Sequence, residues 1–414
     1  MDYFKRITEL TEDLFNNPEL GFKEFKTSKK VQDELKFLNP NADIEIFSKT
    51  GIKTYLSRDK NKTICFLAEL DAVYAPSHFN ADPETGAAHN CGHFTQITVA
   101  LALYQRLITN EKYKNWDYNL CFIFIPAEEY VDLPYRKELV EKGEIVHLGG
   151  KAEAMRLGIF DDIDAVYCVH SIGEDFDKPT IELYCNLAGF MYKYYTFEGK
   201  TSHAGFDPFS GVNAYSMSTL FNVGVGLSRQ QFIDTQSIRI NPIIMDADMS
   251  TNVIPNEVKI GTDLRCKTIP YMKEMSKKLD RIAEGSAYSL GGTVTIETDM
   301  GYLPFVQNDY LSSFAMDTYN EFSDTLALID DRGDIAAAGD IGDLSYIMPC
   351  AQISYGGFKG TIHGDDFKLD DENFVLNTFP KYLERLFENL NGNIDPSKLY
   401  KRTYNEYKKL IDEI

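Results

Sequence analysis

The 414-residue sequence has no apolar run approaching the ~18 residues that a bilayer span requires, so no membrane helix is expected. Its opening stretch, MDYFKRITELTEDLF, is charged and amphipathic and lacks the apolar core of a secretory leader; no signal peptide is predicted. Cationic side chains are in deficit. There are 42 Lys and Arg against 63 Asp and Glu, for a net charge of −21. Nucleic acid and anionic membrane both demand a cationic surface, so neither is expected as a partner. A small substrate is not excluded, because a local cationic site can sit on an acidic protein. Internal repeats and low-complexity tracts are missing too. Histidine is scarce, with seven. Cysteine is equally scarce: Cys65, Cys91, Cys121, Cys168, Cys185, Cys266 and Cys350 are odd in number and widely spread. That pattern predicts reduced thiols in the cytoplasm rather than a disulfide framework. What remains, 43% hydrophobic and 25% charged residues, is the composition of a globular chain long enough for two or three domains.

Phe4, Ile7, Leu10 and Leu14 share one helical face over 3–15, and Asn16-Asn17-Pro18 ends that helix. A second helix is predicted from Thr27 to Leu38, with Thr27 or Ser28 as its N-cap. Three apolar runs then stop abruptly at ionisable residues. Thr63 to Ala68 ends in Glu69-Leu70-Asp71, Leu120 to Ala127 in Glu128-Glu129, and Ala165 to Val169 in His170. Runs this short and apolar read as buried parallel strands, and open α/β sheets bind ligands beyond their strands' carboxyl ends. Three such endings point to one site. Residues 94–108 are apolar nearly all round and predict a buried helix, starting directly after Cys91-Gly92-His93. Its positive dipole end favours a thiolate there.

From about Gly189 the pattern changes. Alternating strands over 190–198 and 257–266, helices over 212–227 and 271–290, and a strand over 293–298 predict a separate α+β module. Residues 398–414 predict an amphipathic terminal helix. The fold class is therefore α/β, with a mostly parallel sheet and a smaller α+β insertion.

A thiolate and an imidazole two positions apart, Cys91 and His93, suit a borderline-soft divalent ion such as zinc. Adjacent carboxylates at a strand end, Glu128 and Glu129, point to opposite sides; one can bind metal while the other moves a proton. Each element also has a plain structural reading: a buried cysteine beside a satisfied histidine, a solvated acidic loop, a capping histidine at His170. His363 carries no signal of its own.

In order along the chain these residues resemble the aminoacylase/carboxypeptidase-type metallopeptidases, peptidase family M20, and within it the amidohydrolase branch. Asn17-Pro18-Glu19-Leu20-Gly21-Phe22 resembles the family's N/H-P-E-L-G-F, and Glu69-Leu70-Asp71 its D-M-D. His89-Asn90-Cys91-Gly92-His93 resembles H-A-C-G-H, and Pro126-Ala127-Glu128-Glu129 is P-A-E-E. Gly199-Lys200-Thr201-Ser202-His203-Ala204 resembles G-K-x-x-H-A, and Asn252-Val253-Ile254-Pro255 with Arg265 resembles N-V-I-P and a later arginine. Gly339 to Ser345 is similar to a segment of p-aminobenzoyl-glutamate hydrolase and dipeptidase-like members.

The resemblance implies a catalytic metal-binding domain over 1–186 and 304–414, with helices on both faces of its sheet. It implies a ferredoxin-like lid and dimerisation domain over 187–303. It further implies two divalent ions per chain (Zn, Mn or Co), held by Cys91, His93, Glu129, His170 and His363. Glu128 would be the general base and Asp71 an orienting residue. His203 would stabilise an oxyanion, reaching a neighbouring subunit's site in a homodimer, and Asn252 and Arg265 would hold the substrate. The substrate would be an N-acyl amino acid, a dipeptide or a p-aminobenzoyl-glutamate-like amide. Three departures stand out: Phe94 occupies the place of an Asp after C-G-H, Glu69 replaces the first Asp of D-M-D, and the loops 74–89 and 130–148 are long. Those loops, which carry His78 and His147, are candidates to wall the substrate pocket. Two other readings stay open: a thiol hydrolase using Cys91, and a catalytically degenerate binding protein on the same fold.

Overall fold

A computed structural model describes residues 3–247, 250–330 and 332–414. Its principal strands are β1 (Ile44–Phe47), β2 (Gly51–Tyr55), β3 (Thr63–Glu69), β4 (Asn119–Ile125), β5 (Ala165–Ser171), β6 (Thr180–Glu182), β7 (Gly189–Glu198), β8 (Arg239–Ala247), β9 (Glu257–Cys266), β10 (Thr293–Met300), β11 (Ala327–Ile329) and β12 (Cys350–Tyr355). Its principal helices are α1 (Tyr3–Phe15), α2 (Phe25–Leu38), α3 (His93–Asn110), α4 (Leu133–Glu141), α5 (Gly150–Arg156), α6 (Ala214–Ser228), α7 (Ile269–Ser289), α8 (Asp309–Phe322), α9 (Phe379–Leu390) and α10 (Tyr404–Asp412). Among the described residues no helix is long and apolar enough to cross a membrane. All seven cysteines are buried free thiols.

The chain forms two compact units. One comprises Met1–Cys185, Val306–Gly333 and Asp343–Tyr407; the other comprises Asn186–Phe305, Asp334–Gly342 and Lys408–Ile414. The second unit therefore takes in two segments beyond the 187–303 read from sequence. Backbone pairing explains the first: Asp334–Ile335 runs parallel to Asn186–Leu187. An ion pair accompanies the second, with Lys273 Nζ 3.3 Å from Glu413.

The first unit is built on an eight-stranded sheet of order β1-β2-β4-β3-β5-β12-β6-β11. β4, β3, β5 and β12 are mutually parallel. Every residue of β3 and β4 is buried, as expected for unbroken apolar strands covered on both faces. The register aligns Glu69 with Ile125 and Ser354 with His170. The carboxyl ends of these strands thus deliver their polar residues to one edge. His170 lies inside β5 rather than after it.

α3 is buried from His93 through Tyr104. Its Tyr104 meets Phe122 of β4 at 5.2 Å, and Phe387 of α9 meets Phe66 of β3 at 6.1 Å. α1 buries Ile7 and Leu14, but Phe4 at its start is 37% exposed.

Two helix boundaries differ from the sequence reading. α2 starts at Phe25, and neither Thr27 nor Ser28 is its N-cap. The carboxylate of Glu19 takes the cap's role from outside, accepting from Lys26 N (3.2 Å), Thr27 N (2.8 Å) and Thr27 Oγ1 (2.9 Å). At the other end only Tyr404–Asp412 is helical. Thr403 and Glu406 form a capping box there, Thr403 N donating to Glu406 Oε2 at 2.8 Å and Glu406 N to Thr403 Oγ1 at 3.2 Å. The residues before it leave the helix because they bind elsewhere: Arg402 N donates to Ile347 O at 2.7 Å.

The second unit carries an antiparallel sheet of order β8-β9-β7-β10 with α6 and α7. In chain order that is the second, third, first and fourth strand, the ferredoxin-like arrangement. Met217 and Phe221 of α6 are buried in its core, whereas Leu220 and Leu227 are 39% and 77% exposed. α6 thus presents a second apolar face that its own sheet does not cover.

One buried cation steadies β2. Lys53 Nζ lies 2.7 Å from Asp162 Oδ1 and donates to Ile159 O at 2.6 Å. Burial opposes the charge on Asp162, but Lys53 and Tyr55 hold its carboxyl below the usual range. Asp162→Asn is expected to cost roughly 1–3 kcal/mol at neutral pH, by leaving the ammonium short of its counter-charge. An acid whose folded pKa is depressed contributes stability above its unfolded value and loses it as pH falls through the folded one. The gap between variant and parent should therefore close below about pH 4, as urea denaturation across pH would measure.

Candidate metal centre

Cys91, His93, Glu129, His170 and His363 converge at the carboxyl edge of the large sheet, although they come from four separate stretches of chain. Their donor atoms form two groups, Cys91–His93–His170 and Cys91–Glu129–His363, each within 4.8 Å, with Cys91 common to both. A third group, Glu69–His93–Glu128, meets the same limit. Cys91 Sγ lies 3.5 Å from His170 Nε2, and His363 Nε2 lies 3.3 Å from Glu129 Oε1.

Local backbone sets these positions. Gly92 has φ 90°, and a Cβ there would stand 2.5 Å from Ser171 Oγ, which itself donates to Cys91 O at 2.6 Å. Only glycine allows that turn into α3. His363 also has a positive φ, 63°, and its N–H donates to Asn90 O at 2.8 Å, tying its loop to the C-G-H element.

The rings are oriented from behind. His93 Nδ1 lies 2.8 Å from Asp71 O, and His170 Nδ1 lies 2.9 Å from Ser171 O. A carbonyl only accepts, so each Nδ1 carries hydrogen and each Nε2 faces the cluster. Asp71 also organises the two glutamates: its buried carboxylate accepts from Glu128 N at 3.1 Å and from Glu129 N at 3.0 Å.

Charge is dense here. Burial and Glu129 resist ionisation of Cys91, yet His93 and His170 outweigh them and hold the thiol at about 6. Burial likewise resists ionisation of Glu129, and His363 and His93 hold its carboxyl low. Hydrogen bonding to Cys91 and Glu129 pushes the imidazole of His363 up to about 11. Burial disfavours a charged His93, but Cys91 and Glu69 raise it well above the ordinary histidine range. In spite of this crowding, His93 Nε2 and Glu129 Oε1 are buried, and their close neighbours do not meet them in good hydrogen-bond geometry. Soft and hard donors left open towards one another fit divalent metal ions.

The glutamate turn is strained and heavily braced. Ala127 has φ 56°, an uncommon left-handed conformation for a residue with a Cβ. Its N–H donates to Glu24 Oε1 at 2.8 Å, and its carbonyl accepts from Gly150 N at 3.0 Å. Burial and the neighbouring Asp71 push the carboxyl of Glu24 up to about 8. Arg136 is fully buried on α4, a helix that the structure places within the 130–148 stretch read from sequence as a loop. Its guanidinium donates to Leu148 O at 2.6 Å, to Ala127 O at 3.3 Å and to Glu129 O. That loop thus reaches beneath the turn. His147 of the same loop pairs with Tyr404 Oη at 2.7 Å, and His78 of the 74–89 loop is buried with Nε2 2.9 Å from Phe367 O.

Phe94 points away from this chemistry. It packs 4.9 Å from Phe15 and 5.6 Å from His89. His89 is buried with neither ring nitrogen hydrogen-bonded, and burial depresses it to about 3, so it is neutral. Glu69 does join the cluster. Its Oε1 pairs with fully buried Lys151 at 2.6 Å, and its Oε2 lies 3.2 Å from His93 Nε2. Sequence reading placed Glu69 at one of the three ionisable strand endings and marked it as a departure from the motif, but gave it no role, and it gave none to Lys151, Arg136 or Glu24. Period-two geometry offered one clue, since residues 69 and 71 fall on the same side of an extended chain.

The remaining sequence candidates lie in the second unit. Ser202–His203 pairs antiparallel with Val253–Ile254, which brings Asn252 beside His203: Ala204 N donates to Asn252 O at 2.9 Å. Gly205 N and Phe206 N donate to His203 Nδ1 at 3.2 and 3.0 Å, leaving Nε2 as the hydrogen-bearing, exposed nitrogen. Arg265 is engaged within its own unit. Its Nε lies 3.0 Å from Asp263 Oδ2 and its Nη1 donates to Ala336 O at 2.7 Å.

Replacing Arg136 by Met should unpin the glutamate turn and leave buried carbonyls unsatisfied, at roughly 2–4 kcal/mol in urea denaturation. Arg136→Lys, unable to fork to three carbonyls, should recover only part of the loss.

Comparison with known proteins matches this geometry to one family. The family model described as peptidase family M20/M25/M40 matches residues 65–387. An N-acetyldiaminopimelate deacetylase of Streptococcus pneumoniae (serotype 19F, strain G54) is 27% identical over 343 residues, covering 78% of this chain and 83% of the relative. The Lactococcus lactis subsp. cremoris (strain SK11) protein of the same name is 25% identical, covering 91% and 98%. A Bacillus subtilis protein described as a dinuclear metal binding peptidase from the M20 family superposes with TM-score 0.74 at 19% identity, over 95% of this chain and 99% of that one. The chain belongs to peptidase family M20/M25/M40 and is a hydrolase of amide bonds.

Proposed function

We propose that the protein is a metal-dependent amidohydrolase that removes the acyl group from an N-acyl amino acid, with N-acetyldiaminopimelate and related N-acetylated amino acids the first substrates to examine. The observation that carries the proposal is the pair of donor groups sharing Cys91, with Glu128 buried beside them. The named relatives support the choice of an N-acyl amino acid.

Cys91, His93 and His170 would hold one divalent ion, and Cys91, Glu129 and His363 a second. Divalent ions in such a pair supply Lewis acidity, which makes water acidic and polarises a carbonyl. Glu128 Oε2, 3.9 Å from His93 Nε2, is the group left to manage the proton. It takes a proton from the attacking water and delivers it to the leaving nitrogen, so that water adds across the amide and yields a carboxylate and an amine. Asp71 fixes Glu128 and Glu129 through their N–H groups. Cys91 serves as a ligand in this reading, which requires a compartment reducing enough to keep its thiol free.

His203 Nε2–H is a suitable donor for the developing oxyanion, and Asn252 beside it a suitable contact for substrate. Arg265 is the proposed partner for a substrate carboxylate, which requires it to exchange its bond to Ala336 O or share its pairing with Asp263. The second unit is proposed to act as a lid and as the dimer contact. Supporting this are the exposed Leu220, Val223 and Leu227 on α6 and the exposed Ile243, Ile244 and Met245 on β8, an edge strand of its sheet. Uncovered apolar edges of this kind favour pairing.

Three outcomes are expected. Glu128→Gln should reduce turnover of an N-acetyl amino acid about 10²–10⁴-fold while metal content stays at the parental level. Parental turnover in that variant would sink the mechanism. Chelation should abolish activity, and Zn²⁺, Mn²⁺ or Co²⁺ should restore it at two ions per chain by elemental analysis; full activity with fewer than two would count against the paired site. Sedimentation velocity should give a dimer at micromolar concentration that Ile244→Lys converts to monomer.

A further inference from the structure

Resting on the reading of Glu128 as general base, we propose that Glu24 is a positioning residue for that reaction: it holds the Ala127 backbone in the conformation that aims the Glu128 carboxylate. Glu24 closes the stretch 19–24, which lies along both chain segments that support the base. Glu19 O accepts from Ala72 N at 2.8 Å, one residue after Asp71, and Leu20 forms a parallel bridge with Ala72. Lys23 Nζ lies 2.6 Å from Asp132 Oδ2, just beyond the glutamate turn. Gly21 permits the close approach, since a Cβ there would stand 2.8 Å from Ala127 Cα.

Three consecutive N–H groups of the turn end on carboxyl oxygens. Ala127 N donates to Glu24 Oε1 at 2.8 Å, Glu128 N to Asp71 Oδ1 at 3.1 Å and Glu129 N to Asp71 Oδ2 at 3.0 Å. Thr50, buried just before β2, fixes the other oxygen of Glu24, its Oγ1 lying 2.7 Å from Oε2. Glu24 is 0% exposed, so water does not replace it.

The place is a costly one for a carboxyl, because burial and Asp71 both oppose its charge. A neutral acceptor would satisfy one N–H at less cost. What the clamped carboxyl adds is direction. Ala127 keeps φ 56° in spite of its Cβ, and the backbone at 127 sets the heading of the residue that follows. Glu129 has a further hold, because Arg136 donates to its carbonyl. Loss of the Glu24 clamp therefore falls first on Glu128.

The test is steady-state kinetics of the full-length, metal-loaded protein on an N-acetyl amino acid, with metal content and thermal midpoint measured for each variant. Glu24→Ala should lower kcat about 10–100-fold per folded molecule, with KM within about threefold of the parent and metal content unchanged. Glu24→Gln keeps an oxygen for Ala127 N and offers an N–H to Thr50 Oγ1, and should recover most of that loss. Parental kcat in folded Glu24→Ala overturns the proposal whatever its thermal midpoint, because the carboxyl would then serve stability alone. A loss of metal that accounts for the fall in kcat also overturns it, by moving the role from Glu128 to the ligand Glu129. So does a Gln variant as slow as the Ala variant, since the bond at Oε1 would not be what Glu24 supplies. Should Glu24→Ala fail to fold, Glu24→Asp decides. Its carboxyl falls short by one methylene, about 1.5 Å, and kcat should drop about fivefold or more, parental kcat again overturning the proposal. Parental turnover in Glu128→Gln would remove the base and this inference with it, whereas parental kcat in Glu24→Ala beside a disabled Glu128→Gln overturns this inference alone.

Discussion

The site depends on one buried carboxylate more than on any of its metal-type residues. Asp71 accepts the backbone N–H groups of Glu128 and Glu129, and its own carbonyl accepts from His93 Nδ1. It therefore fixes the turn after β4 and the ring at the start of α3 together. A carboxylate held between two N–H groups in the interior has satisfied oxygens and little freedom to move. The donor atoms of His93, Glu128 and Glu129 inherit that rigidity, which holding a metal ion would require.

Around Asp71 the molecule spends stability on shape. Ala127 and His363 adopt left-handed conformations that residues with a Cβ seldom take, and both border the cluster. Glu24, Arg136 and Gly150 hold Ala127 from behind. Buried cations recur as struts: Arg136 beneath the glutamate turn and Lys151 against Glu69. Arg136 comes from a few residues beyond Glu129, whereas Lys151 reaches Glu69 from 82 residues along the chain. The net charge of −21 therefore says little about the local field at this edge.

The fold was readable where burial is continuous. Unbroken apolar runs over 63–68, 120–125 and 165–169 announce parallel strands covered on both faces, and the structure has them so. Boundaries were read less well where a partner far along the chain decides them. Glu19 caps α2 from eight residues before Thr27, so local cap preference named the wrong residue. Residues 398–403 kept helical periodicity in the sequence but lost it to contacts with 345–347. The capping box at Thr403 and Glu406, by contrast, lies within four residues and could have marked the true start.

By itself the sequence determined which residue types could bind metal and at which strand ends they emerge, because local periodicity and motif spacing are properties of neighbouring residues. It determined the α+β order of the second unit for the same reason. Only tertiary structure decided that Cys91 belongs to two donor groups, that Glu69 faces His93 while Phe94 faces the core, and that Arg136 and Lys151 are interior. These facts depend on the register of parallel strands and on the path of long loops, where residues tens of positions apart exchange hydrogen bonds. A buried charge leaves no mark on local hydropathy; its partner is visible only once the chain has closed around it.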